Sequence, residues 1–149
     1  MYKRQDHILV ADKPHFLPTI PSGRFLRETL LVRLKRTYDL PHLVPIHRLD
    51  RETAGVVIFS HNPDSRGAYQ SMFQKRVVTK TYEAIAPLLE GRTLPFTYRS
   101  RMQDAAQFFL SEEVAGEPNS ETLIELIEQR GALAPVSYTH LTLPTKRIV

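Results

Sequence analysis

The first half of the chain alternates short unbroken apolar runs with proline-punctuated loops. His7-Ile8-Leu9-Val10-Ala11-Asp12-Lys13-Pro14 reads as a buried strand that must stop at the proline, which has no backbone donor for a ladder. Prolines at 14, 18 and 21 make residues 15–23 rigid and irregular. A helix is predicted from Ser22 or Gly23 through Tyr38. In it Phe25, Leu26, Thr29, Leu30, Leu34 and Tyr38 recur at helical spacing, and Arg24, Arg27, Arg33, Lys35 and Arg36 favour the other surface. Pro41 and Pro45 bracket a second loop, and residues 56–60 form a compact strand. Asn62-Pro63 then opens a helix over about 65–76, whose stripe of Ala68, Tyr69, Met72 and Phe73 is expected to be core.

Residues 77–86 alternate as a strand does, with Val78, Lys80, Tyr82 and Ala84 on one face. A lysine and a tyrosine on one face suit the wall of a site better than a plain core strand. Further strands are expected over 96–101 and 106–110, and an acidic turn over 112–120. Residues 121–129 fit either helical or strand period. The ending, 136–149, is rich in threonine and interrupted by Pro144, and is expected to be disordered or foreign to the rest.

Composition narrows the class. At 149 residues and 42% hydrophobic, the chain fits one globular domain with a real core. It has no cysteine, which excludes disulfides, thiolate metal sites and a thiol nucleophile, and suits a cytoplasmic setting. No apolar segment approaches a membrane span, and the N-terminus lacks an apolar signal core. Residues 1–80 carry 14 Lys/Arg against 7 Asp/Glu, a net of +7, whereas 81–149 carry 6 against 9, a net of −3. That asymmetry favours a polyanion partner for the first part, with nucleic acid foremost, although from charge alone solvated basic helix faces are the better account.

One stretch concentrates the candidate chemistry: His47-Arg48-Leu49-Asp50-Arg51-Glu52-Thr53-Ala54-Gly55, directly before the apolar run at 56. It is either a solvated loop whose carboxylate pairs with adjacent guanidiniums, or a rigidly held reactive group. Alternatives elsewhere are few. There is no glycine-rich phosphate loop, no His-Glu-x-x-His helix and no Gly-x-Ser-x-Gly elbow, and the six histidines lack ligand spacing, so no metal is expected. Asp50, flanked by Arg48 and Arg51 and complemented by Lys80 and Tyr82, suits a carboxylate used as nucleophile or base. The arginines would grip phosphates and the tyrosine would stack on a base.

His47-Arg48-Leu49-Asp50-Arg51-x-Thr53-x-Gly55 closely resembles the signature of the RluA-type RNA pseudouridine synthases. Ala11-Asp12-Lys13-Pro14 is similar to that family's early strand and Lys-Pro turn. Phe73-x-x-Arg76-x-Val78-x-Lys80-x-Tyr82-x-Ala84 resembles its second block, and 116–122 a weaker third. The resemblance spans about residues 8 to 130. It implies an α+β catalytic domain, a mixed and largely antiparallel sheet with packed helices, and a cofactor-free isomerase that turns uridine of rRNA or tRNA into pseudouridine. By carry-over, Asp50 is the catalytic aspartate and Tyr82 lies against the uracil. Arg48, Arg51 and Lys80 contact RNA, and His47, Thr53 and Gly55 support the loop. A cytoplasmic monomer acting on RNA, without membrane or metal, is the accompanying expectation.

Two departures qualify the resemblance. Ala54 stands where the family often has serine. A later Gly-Arg-x-His-Gln-Leu-Arg-like block, which supplies a basic residue to the active site, finds no match. The expected organisation is therefore a partial catalytic domain over 1–135 followed by a non-family ending over 136–149. The competing readings are a non-catalytic RNA-binding module, or an inactive fragment. A metal-dependent nuclease or phosphotransferase is disfavoured because no second acidic residue sits at metal-binding spacing near Asp50.

Overall fold

A computed structural model of the chain describes residues 2–75, 77–87, 91, 93–106, 111–128 and 133–142. It divides into two compact units, residues 1–75 and 76–149. In the first, β1 (Tyr2–Arg4), β2 (Ile8–Lys13), β3 (Val44–Pro45) and β4 (Gly55–Ser60) form an antiparallel sheet in the order β1-β2-β4-β3. The β2–β4 register sets Leu9 opposite Phe59, Ala11 opposite Val57 and Lys13 opposite Gly55. Leu9, Ala11, Val57 and Phe59 are all buried, so this row is the core face of the sheet, and Lys13 is its last member on β2.

Helix α1 (Leu30–Tyr38) lays Leu30 and Leu34, one turn apart, into that core, where Leu17 and Leu43 join them. It starts seven or eight residues later than the apolar spacing predicts. Ser22 and Phe25 instead exchange both backbone hydrogen bonds, at 3.0 Å each, in a tight turn with Gly23 at φ +53°. Thr29 is the true N-cap, its hydroxyl accepting from the Val32 N–H at 3.3 Å. The first free helix donors, Leu30 N–H and Leu31 N–H, bond the carbonyls of Pro18 and Thr19 at 2.9 and 3.0 Å. Phe25 and Leu26, expected on the buried stripe, therefore lie before the helix, and Leu26 is exposed.

At the other end of α1, Asp39 adopts left-handed geometry and its N–H bonds the Lys35 carbonyl. A carboxylate there opposes the partial negative charge of the helix C-terminus. Asp39→Asn, which keeps a side chain tolerant of that geometry, should raise the thermal midpoint by about 2 °C at low salt and less at high salt.

Helix α2 (Pro63–Gln74) starts two residues before the expected 65, with Pro63 in its first turn as the signal suggested and the Asn62 side chain accepting from Asp64 N–H at 2.9 Å. Its apolar stripe is not core, however. None of its residues is fully buried, Ala68 and Met72 are exposed, and Tyr69 and Phe73 are half-buried.

The second unit contains β5 (Thr81–Pro87), β6 (Phe96–Asp104), β7 (Ser111–Val114), β8 (Ser120–Leu126) and β9 (Leu133–Thr142), in the order β5-β9-β8-β6-β7. Every pairing is antiparallel. The ambiguous stretch after 120 is thus strand, and the predicted acidic turn begins with the short strand β7. Residues 136–142, expected to be irregular, belong to β9, where 136–139 pair with both β5 and β8 and the strand continues along β8 to Thr142. Buried Ala134 and Val136 and half-buried Tyr138 follow a strand's two-residue period, and the threonines suit a pleated surface. Residues 107–110 of the strand expected over 106–110, and 143–149 of the ending, lie outside the described residues. Arg99 and Glu121 sit directly opposite in register and pair at 2.8 Å. The Asn119 side chain bonds both the N–H and the carbonyl of Met102, at 2.8 and 2.9 Å, taking the place of ladder partners beyond Ser120.

Candidate functional site

Residues 46–54 connect β3 to β4 and alternate between anchoring and display. Ile46 is buried and Leu49 packs against the core, whereas Arg48 and Asp50 are exposed. Buried Thr19 grips Leu49 from both sides. Its hydroxyl donates to the Leu49 carbonyl at 2.8 Å and accepts from the Leu49 N–H at 3.3 Å. Since the Thr19 carbonyl also receives the Leu31 N–H, one residue ties the start of α1 to the position just before Asp50. The Asp50 carbonyl in turn accepts from Thr53 N–H at 3.2 Å and closes the turn.

Gly55 leaves the turn at φ +126°, a conformation L side chains rarely adopt. A Cβ there would meet only Leu49 Cδ1 at 4.0 Å, an ordinary contact, so the constraint is conformational. Gly55→Ala should therefore destabilise the protein by about 1–3 kcal/mol, read as a lower denaturant midpoint at unchanged slope.

Beneath the turn lies a residue that the sequence did not single out for the site. Lys13 is wholly buried and donates to the carbonyls of Leu17 (2.8 Å), Pro14 (3.1 Å) and Arg51 (3.1 Å). Burial pushes its ammonium below the ordinary lysine value, while the charges of Glu52 and Asp50 pull it back up. Lys13 is thus a fixed positive charge that feels Asp50 from beneath the loop. The available signal was an apolar strand ending in lysine on its core face.

The arginines are disposed differently from the expectation. Arg51 pairs with Glu52 at 2.7 Å, and its guanidinium lies 5.6 Å from the centre of the Phe25 ring, which Arg24 also approaches at 5.2 Å. Its hydrogen bond holds the Glu52 carboxyl below the usual carboxylate range. Among the described residues, no ion pair joins Asp50 to Arg48 or Arg51. The salt-bridged loop considered at the outset does exist, but its carboxylate is Glu52. His47 stacks on Phe73 (4.9 Å, 20°) and its Nε2 accepts from Ile58 N–H at 3.2 Å, so the neutral ring carries its proton on Nδ1.

The first unit therefore gathers His47, Arg48, Asp50, Arg51, Thr53 and Gly55 in one clamped loop. Lys80 and Tyr82 belong to the second unit. There the exposure alternates from 77 to 87, with Val78, Lys80, Tyr82, Ala84 and Ala86 on the half-buried side. Lys80 falls just before β5. Tyr82 stands opposite Tyr138 of β9, and the rings stack at 5.1 Å and 10°. Burial raises the Tyr138 hydroxyl above its ordinary value. Sequence reasoning missed Tyr138 because it lies in the ending that was set aside. Among the described residues, no group of three or more His, Cys, Asp or Glu could hold a metal ion, and no helix is long and apolar enough to cross a membrane.

The fold and loop together define an α+β domain that displays an aspartate from a turn clamped ahead of an antiparallel strand. The model of the RNA pseudouridylate synthase family matches residues 7–147, and the chain belongs to that family, with RluA-type relatives. The dual-specificity RNA pseudouridine synthase RluA of Vibrio vulnificus is 36% identical over 81 residues, covering 53% of this chain and 31% of the relative. The tRNA pseudouridine synthase C of Yersinia pestis is 27% identical over 119 residues, 78% of this chain and 46% of the relative. The human pseudouridylate synthase RPUSD2 is 34% identical over 77 residues, 52% of this chain but 14% of the relative. The chain thus spans less than half the length of each of these relatives. The fold is shared with the human RNA Pseudouridylate Synthase Domain Containing 1 structure, at TM-score 0.77 and 20% identity, covering 97% of this chain and 60% of that one.

Proposed function

We propose that this chain acts in the isomerisation of uridine to pseudouridine in RNA, either rRNA or tRNA, with Asp50 as the catalytic carboxylate and without a cofactor. The observation that carries the reading is the state of Asp50. It is exposed at the apex of a turn pinned by Thr19 and Lys13, with the neighbouring Arg51 committed to Glu52. A carboxylate that is rigidly held yet spared by the adjacent guanidinium is poised to meet an incoming nucleoside.

The reaction conserves atoms. The bond from the uracil nitrogen to the ribose breaks, the base rotates, a bond from its C5 to the same ribose carbon forms, and the C5 proton is lost while the freed nitrogen gains one. Asp50 starts the cleavage, and Tyr82 lies against the uracil near the departing proton. Arg48, exposed beside Asp50, takes the RNA backbone or the space left by the extruded nucleotide. Arg51 and Lys80 contact RNA phosphates more peripherally, and His47, Thr53 and Gly55 keep the turn in shape. The protein is proposed to work as a cytoplasmic monomer.

The test is to incubate the chain with uridine-containing rRNA and tRNA and map pseudouridine, with Asp50→Asn as control. Conversion by the wild type alone supports the reading. If both proteins bind RNA and leave uridine intact, the chain is an RNA-binding module without the catalysis proposed for it.

A further inference from the structure

The geometry points to Phe16 as a stacking platform for an RNA base next to the uridine taken by Asp50, an assignment that rests on the function proposed above. Three independent observations meet at this residue. First, Phe16 adopts φ +63°, a left-handed conformation that glycine occupies freely and a bulky aromatic residue only at a cost in backbone energy. Second, that cost brings no burial in return, since the residue is 72% exposed. A large apolar ring held out in water by strained backbone stabilises nothing in the fold, which leaves a partner as its use.

Third, the neighbours of the ring tie its segment to the turn that carries Asp50. It lies against His15 at 5.9 Å between centroids, and His15 Nδ1 hydrogen-bonds the Glu52 carbonyl at 2.6 Å. On its other side in the chain, Lys13 bonds the Arg51 carbonyl. Both links end one or two residues after Asp50. Arg51, where one of these links ends, also lies within 6 Å of the Phe25 ring, as does Arg24. A base of single-stranded RNA can stack on the exposed π-face of Phe16, while the exposed Arg48 of the turn tied to it is available to a phosphate. A protein partner would favour a broader apolar patch.

The occupant is therefore a nucleotide of an unpaired loop flanking the target, and Phe16 is an RNA-contacting residue without a part in bond making. The experiment uses the full chain, a labelled hairpin RNA with a uridine-bearing loop, and the variants Phe16→Gly and Phe16→Tyr. Phe16→Gly should weaken RNA binding about tenfold while leaving the thermal midpoint equal or higher, because glycine relieves the left-handed backbone. Phe16→Tyr, which keeps the ring, should bind as the wild type does. In conversion assays the loss should appear in KM with kcat nearly unchanged. Wild-type affinity in Phe16→Gly, or no measurable affinity in the wild type, overturns the platform. A lowered midpoint in Phe16→Gly together with equal loss in Phe16→Tyr makes the residue structural and overturns it as well. Direct binding reads Phe16 and base conversion reads Asp50, so the failure of one is distinguishable from the failure of the other.

Discussion

Replacing Asp50 by asparagine should reduce pseudouridine formation by about 10³-fold or more while RNA affinity stays within a small factor. The fold should survive unchanged. The Asp50 side chain is exposed, and the contact that shapes the turn, Thr53 N–H to the Asp50 carbonyl, is made by backbone that asparagine keeps. Asparagine is isosteric but is neither a base nor an effective nucleophile. Mapping conversion by primer extension after chemical marking of pseudouridine, with melting curves recorded alongside, checks both halves. Appreciable conversion by Asp50→Asn would remove the carboxylate from the chemistry.

Lys13→Met should be the most damaging single change to the first unit, at about 3 kcal/mol, or roughly 10 °C in the thermal midpoint for a chain of this size. Methionine fills a similar volume, but three carbonyls that now share one ammonium would lose it, and the strap from β2 to Arg51 would go. Activity should fall even below the melting temperature, since the turn carrying Asp50 loses its floor. The pH dependence provides a separate signature. The folded value of Lys13 is depressed below 10.5, so the unfolded chain binds its proton more tightly. Between the depressed value and 10.5 the unfolded state holds more protons, and stability should gain as pH rises through that window. Tyr138, whose value is raised, contributes the opposite slope from 10.0 upward. Comparing wild type with Lys13→Met over that range isolates the lysine, because only the wild type should show the gain. Equal slopes would mean that burial does not perturb Lys13 in solution.

The second unit and the first differ in how much of them the chain pattern reveals. Local periodicity was enough for β2, β4, α2 and the alternation after Val77, because each is a short element whose apolar spacing or capping residues act within a few positions. The helix over 22–38 was overextended for a tertiary reason. Its true start is set by the Pro18 and Thr19 carbonyls, which take the first helix donors, and no window of neighbouring residues records a bond spanning a dozen positions. Residues 136–142 were misread for a related cause. A threonine-rich strand has little pattern of its own and becomes one when β5 and β8 flank it.

For the site, the sequence alone determined the composition of the Asp50 turn, the ordered blocks around it and the family they resemble. These depend on residue identity and spacing, which a linear chain carries in full. Which charge meets which was decided only in three dimensions. Adjacency suggested that Arg48 and Arg51 attend Asp50, yet Arg51 turns to Glu52, and the cation beneath the turn is Lys13, 37 positions earlier. Side-chain direction in a tight turn depends on where its backbone is pinned, and Thr19, Lys13 and Gly55 set those pins through long-range hydrogen bonds and one positive φ. That dependence on distant partners is the physical reason the tertiary structure had the final word on Asp50.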